Sequence, residues 1–114
     1  MSNEELVKHI EGIGLKVDAL DVAGVGRYIV IRDYVVCAGR LRGQRVELAI
    51  QWMNQIPYVA PSAIHVRPHL VAMGTASSQG SPIGSDWQYL SRVLRVAPTP
   101  PAMMTHIATV LAEL

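Results

Sequence analysis

The sequence predicts an α+β fold, with residues 1–114 forming a single domain. Three observations lead there. Apolar residues recur at helical spacing near both ends, strict alternation and β-branched runs occupy the middle, and proline and glycine clusters separate these regions. A chain of 114 residues, 50% hydrophobic and 17% charged, can bury one core, has no room for a second domain and lacks the signature of disorder.

Ser2 or Asn3 can cap a first helix over about residues 3–13, with Glu4 and Glu5 in its first turn. Leu6, Ile10 and Ile13 share one face, and Gly14 provides the stop. From Lys16, Val17, Ala19 and Val22 among acids suggest a short strand or extended arm. Tyr28 to Cys37 is rich in β-branched and aromatic residues. Arg45 to Trp52 alternates, with Val46, Leu48, Ile50 and Trp52 on one face and Arg45, Glu47, Ala49 and Gln51 on the other. Gly43 supplies the bend, so the two runs predict an antiparallel hairpin with one packed and one wet face. Pro57 and Pro61 make residues 54–61 a rigid connector, and Ile64 to Arg67 reads as a short last strand ended by Pro68. Small polar residues over 74–86 predict a long loop. Trp87 to Leu94 reads as a helix-like turn with Trp87, Leu90 and Leu94 on one side. Pro98, Pro100 and Pro101 open a final helix whose stripe is Met104, Ile107, Ala108, Leu111 and Leu114. Trp52 and Trp87 are expected to anchor the core, and the Met103-Met104 pair to pack in it rather than line a binding face.

No apolar run approaches the roughly 20 residues a membrane helix needs, and the opening Met-Ser-Asn-Glu-Glu is acidic where a secretory leader is basic then apolar. A cytoplasmic chain with no membrane association is expected. The single cysteine, Cys37, excludes an internal disulfide and a cysteine-based zinc cluster; ending an apolar run, it reads as a buried, inert thiol. Net charge is +1, so nucleic acid is not an expected partner. The charges are uneven. Residues 1–21 hold five acids against two lysines, while residues 27–45 hold Arg27, Arg32, Arg40, Arg42 and Arg45 against Asp33. Either these arginines pair with the acidic N-terminal segment, or some of them, with Arg40, Arg42 and Arg45 as the candidates, form a docking surface for an acidic partner.

The order helix, antiparallel strands, proline connector, irregular loop, tryptophan and helix resembles the ubiquitin-conjugating (UBC) fold. The strand ending at Ile50, then Ile56-Pro57-Tyr58-Val59-Ala60-Pro61, then Ile64-His65-Val66, is similar to the strand, Tyr-Pro, Pro-Pro and strand passage of conjugating enzymes. Asp86-Trp87 resembles the tryptophan after their active-site loop. With Thr105-His106-Ile107 in the last helix, the stretch Asp86 to Arg92 looks closest to the prokaryotic E family of UBC-like proteins. The resemblance spans residues 3–114 by element order and rests on about a dozen residues. It implies a place in a bacterial ubiquitin-like modification pathway associated with anti-phage defence, with a ubiquitin-like modifier and an activating-enzyme-like protein as partners.

The departures concern the chemistry. Conjugating enzymes carry the modifier on a cysteine shortly before that tryptophan, preceded by His-Pro-Asn. Here the loop has no cysteine, and Pro68-His69-Leu70 reverses histidine and proline and lacks the asparagine. Thr75, Ser77, Ser78, Ser81 and Ser85 remain. Ser81 and Ser85 lie nearest the missing slot, and a serine there needs a histidine, His69 or His106, as base. Such serines also simply solvate a loop, and His106 can pair with backbone instead. A non-catalytic variant binding the modifier or activating enzyme is therefore the leading expectation, and a transferase holding the modifier as an oxyester is the alternative. A third, blander class is an α+β interaction module with no link to a modifier. A Ser81-His106-Asp86 triad lacks the Gly-x-Ser-x-Gly elbow. Gly24-Val25-Gly26 is too short for a dinucleotide fingerprint, and His9, His65, His69 and His106 lack metal-site spacing. No cofactor or metal is expected.

Overall fold

The computed structural model describes residues 1–72, 78–92 and 95–114. Two helices and a six-stranded sheet follow the order α1 (Asn3–Gly12), β1 (Lys16–Val22), β2 (Gly26–Val35), β3 (Arg45–Gln51), β4 (Ile64–Arg67), β5 (Ser78–Ser81), β6 (Gly84–Leu90) and α2 (Pro100–Ala112). The sheet is antiparallel throughout, ordered β1-β2-β3-β4-β6-β5. Neither helix is long and apolar enough to cross a membrane. The α+β class is therefore present, and the first four strands form a meander.

Local chemistry sets the helix ends. Ser2 caps α1, its hydroxyl accepting from the Glu5 amide at 3.1 Å, and Thr99 caps α2, with Pro100 and Pro101 in its first positions. Leu6 and Ile10 of α1 are buried; Ile13, past the last turn, is exposed. In α2 the buried positions are Met103, His106, Ile107, Val110 and Leu111. This corrects the expected stripe: treating His106 as polar shifted the phase onto Met104 and Ala108, whereas the spacing 103, 106, 107, 110, 111 is the regular helical one.

Both helices cover one face of the sheet, where Ile29, Ile31, Val46, Leu48, Ile50, Ile64, Val66 and Leu90 meet them. Asp33, at φ 55°, sits where the β2–β3 register shifts between Ile31 and Tyr34; the irregularity turns Tyr34 into the core. The turn before β3 uses Gly39 and Gly43, at φ 85° and 89°. Gly39 lies against the last turn of α2: an added Cβ would stand 2.2 Å from the Ala112 carbonyl oxygen.

Three expectations about strands are corrected. Residues 78–90 form a hairpin, β5–β6, where a loop over 74–86 and then a helix-like turn were expected; residues 73–77, 93 and 94 lie outside the described residues. Trp87-Gln88-Tyr89-Leu90 is buried or half-buried on both faces, so its alternation is not amphipathic, and the Trp87/Leu90 spacing imitates a helix. Accordingly β4 is not the last strand. The second face of β3 is not uniformly wet either. Tyr28, Val30, Ala49 and Trp87 form a second buried cluster, with Leu20 and Val22 from one edge of the sheet and Ile83 from the other packed against it. Trp87 anchors this second cluster, while Trp52 is only partly buried beside the main core.

Candidate functional site

The face opposite the helices carries most of the candidate chemistry, because β3, β4 and β6 direct alternate residues there. Glu47 stands opposite Arg67, Ala49 opposite His65, and His65 opposite Tyr89. One half of this face is a ladder of alternating charge. Asp18 accepts from Arg32 at 2.9 Å, Arg32 also bonds Glu47, Arg67 donates to Glu47 at 2.6 Å and to Asp86 at 3.1 Å. Burial works to raise the Glu47 pKa, but the hydrogen bonds from Arg32 and Arg67 outweigh it and hold the carboxyl below its usual value. The guanidinium of Arg67 also lies 4.8 Å over the Trp87 ring, tying the ladder to the second cluster.

The other half holds Ser81 and His65. Ser81 Oγ, at the end of β5, is 2.7 Å from His65 Nδ1 and accepts from the Ile83 amide at 3.1 Å. The hydroxyl donates to Nδ1 when that nitrogen is unprotonated and accepts from it, through the second lone pair, when it carries the proton. His65 is 5% exposed, between the rings of Tyr28 and Tyr89 at 5.1 and 5.3 Å. Burial lowers its pKa to about 4. No carboxylate orients its other nitrogen among the described residues. The pair is thus a satisfied polar contact that fastens the β5–β6 turn over the second cluster. Its base is weak, and no triad partner supports it.

The remaining candidates separate. His106 does not reach Ser81 or Ser85: its Nε2–H donates to the Ser62 carbonyl at 2.7 Å and holds the connector against α2. His69 is likewise occupied, donating from Nε2 to the Trp87 carbonyl at 3.0 Å. Ser85 is exposed on β6, and Asp86 is bound by Arg67, so Ser81, His106 and Asp86 form no triad. Thr75 and Ser77 lie outside the described residues. The sequence reading missed His65 as the partner of Ser81; the available signal was its place between Ile64 and Val66, which directs it away from the main core. It also missed Gln88, fully buried, whose side chain accepts from the Leu70 amide at 2.9 Å and donates to the Val71 carbonyl at 2.7 Å. Among the described residues no three His, Cys, Asp or Glu side chains are grouped to hold a metal ion.

The arginines divide between the two readings offered for them. Arg27 and Arg32 pair with Asp21 and Asp18 of β1, and Arg45 pairs with Asp33 at 2.7 Å. Arg40 and Arg42, on the turn between β2 and β3, are exposed and form no ion pair with a described residue. Cys37 on the same turn is exposed, which corrects the expectation of a buried thiol: β2 ends at Val35, before it.

No protein-family model, curated protein or solved structure matches the chain.

Proposed function

We propose that this chain is a non-catalytic, UBC-like component of a bacterial ubiquitin-like modification pathway. In that role it binds the modifier or the activating-enzyme-like protein through the turn bearing Arg40 and Arg42. The observation that carries the reading is the element order. A capped helix leads into a four-stranded meander, the proline connector falls between β3 and β4, and Trp87 follows on β6. Two further facts favour a binding role over a catalytic one. The cysteine is on the β2–β3 turn, and the serine best placed for chemistry is engaged by the Ile83 amide and a weakly basic imidazole. Arg40 and Arg42 stand on a turn held by Gly39 against α2, so they present two cations from a rigid base. Arg45, paired with Asp33, contributes at the rim.

The alternative transferase rests on the 2.7 Å contact between Ser81 Oγ and His65 Nδ1. In that reading Ser81 Oγ attacks the carbonyl of the modifier's thioester on the activating enzyme: the C–O bond forms, the C–S bond breaks, and the serine proton passes through His65 to the departing thiolate.

The experiment is incubation of the purified chain with an activating enzyme, modifier and ATP from such an operon, followed by intact mass spectrometry and size exclusion. The binding role expects no covalent adduct and a complex that dissociates with salt and with Arg40→Glu/Arg42→Glu. An adduct lost in Ser81→Ala and released by hydroxylamine establishes the transferase instead. Neither adduct nor complex removes the chain from the pathway.

A further inference from the structure

A cleft of about 650 Å³ opens between the connector at residues 59–62 and the chain at the end of β6 and beyond. Its walls include Val59, Ser62, Tyr89, Arg92, Arg95 and Val96, and among the described residues no carboxylate lines it. The size falls within the range of about 300–1,000 Å³ usual for small-molecule sites. One wall is held in place, because His106 binds the Ser62 carbonyl from below.

The two arginines set this cleft apart from the charged face of the sheet. Arg27, Arg32, Arg45 and Arg67 each have a carboxylate oxygen within 2.9 Å. Arg92 does not. Its side chain is only 21% exposed, its Nη1 donates to the Ser91 carbonyl at 2.7 Å, and Glu113 stands 3.8 Å from Nε, beyond hydrogen-bond reach. A guanidinium carries five donors, and Arg92, half-buried with one donor on a carbonyl and only a loose ion pair to Glu113, has donors left for an incoming anion. Arg95 is exposed on the same cleft and forms no ion pair with a described residue. Arginine forks match phosphate and carboxylate oxygens, while Val59, Val96 and the Tyr89 ring offer apolar and aromatic surface beside them.

We propose that this cleft binds a small organic anion, a phosphate or carboxylate head on an apolar or planar body, with Arg92 and Arg95 gripping the head. Ser81, Arg40 and Arg42 do not line this cleft, and the proposal holds whether or not the chain serves a modification pathway.

Two-dimensional 1H–15N NMR titrations with inorganic phosphate, phenyl phosphate and benzoate test it. Saturable shifts are expected at residues 59–62, 89–92, 95 and 96, with phenyl phosphate or benzoate binding more tightly than inorganic phosphate. The tighter of these two identifies the head group. Arg92→Gln/Arg95→Gln should weaken binding by about tenfold or more, whereas Arg40→Gln/Arg42→Gln should leave it unchanged. Arg95→Gln alone, at an exposed position, should weaken it severalfold and keeps the test valid if the double variant does not fold. Failure of all three ligands to saturate, affinity unaffected by Arg95→Gln, or equal binding of inorganic phosphate and phenyl phosphate with none by benzoate overturns the proposal.

Discussion

His65 Nδ1 lies 2.7 Å from Ser81 Oγ, joining β4 to the end of β5 across β6, and the imidazole that makes this contact is buried, which disfavours its charged form. A serine and a histidine at bonding distance invite a catalytic reading. The surroundings favour a structural one: two tyrosine rings flank the imidazole, and no acid among the described residues orients it.

Protonation of His65 should therefore destabilise the fold. Its pKa falls from 6.5 to about 4 on folding, so between these values the unfolded chain binds a proton that the folded chain does not. Stability should then be full above pH 6.5 and decline as pH falls to about 4, by about 3 kcal/mol over the window. Urea denaturation at pH 7.0, 5.5 and 4.5 measures the slope. His65→Gln should flatten it, and a variant slope as steep as that of the native chain would show that another group titrates. Ser81→Ala should cost about 1–3 kcal/mol at pH 7, since it leaves a buried ring nitrogen without its hydrogen-bond partner.

Gly39 and Gly43 share a left-handed backbone but not a neighbourhood. A Cβ at Gly39 meets the Ala112 carbonyl, whereas at Gly43 nothing lies within 4 Å. Gly43→Ala should cost about 1 kcal/mol for the backbone alone. Gly39→Ala should cost at least about 2 kcal/mol more, because α2 must retreat. Parallel thermal melts compare them, and equal losses would mean that the turn does not press on the helix.

Cys37 is exposed on the β2–β3 turn, so Ellman's reagent should modify one thiol per chain without denaturant. Reaction only in urea would place the thiol inside. Because Cys37 lies near enough to Tyr34 to contribute, after burial, to raising its phenol pKa, labelling should also perturb the Tyr34 environment in the ultraviolet spectrum.

Features carried by short windows were legible in the sequence. The cap at Ser2, the stop at Gly14, the hairpin of β2 and β3 and the proline opening of α2 each depend on residues within a few positions of one another. The candidate site was less legible. Ser81 was identified, but its partner is 16 residues earlier rather than in α2, and His106 spends its proton on a carbonyl 44 residues away. Both choices depend on which face of a strand or helix is buried, and a histidine can sit on either.

By itself the sequence determined the α+β class and the hairpin of β2 and β3, because β-branched alternation, capping side chains and prolines act through local backbone geometry. The tertiary structure alone decided that residues 78–90 pair as a hairpin, that Trp87 and Ala49 build a second cluster, and that Ser81 meets His65. It also decided that Arg40 and Arg42 form no ion pair with a described residue while their neighbours find carboxylates. Strand pairing and burial on both faces are settled by contacts between distant segments, whose free energy leaves no periodic mark in either segment.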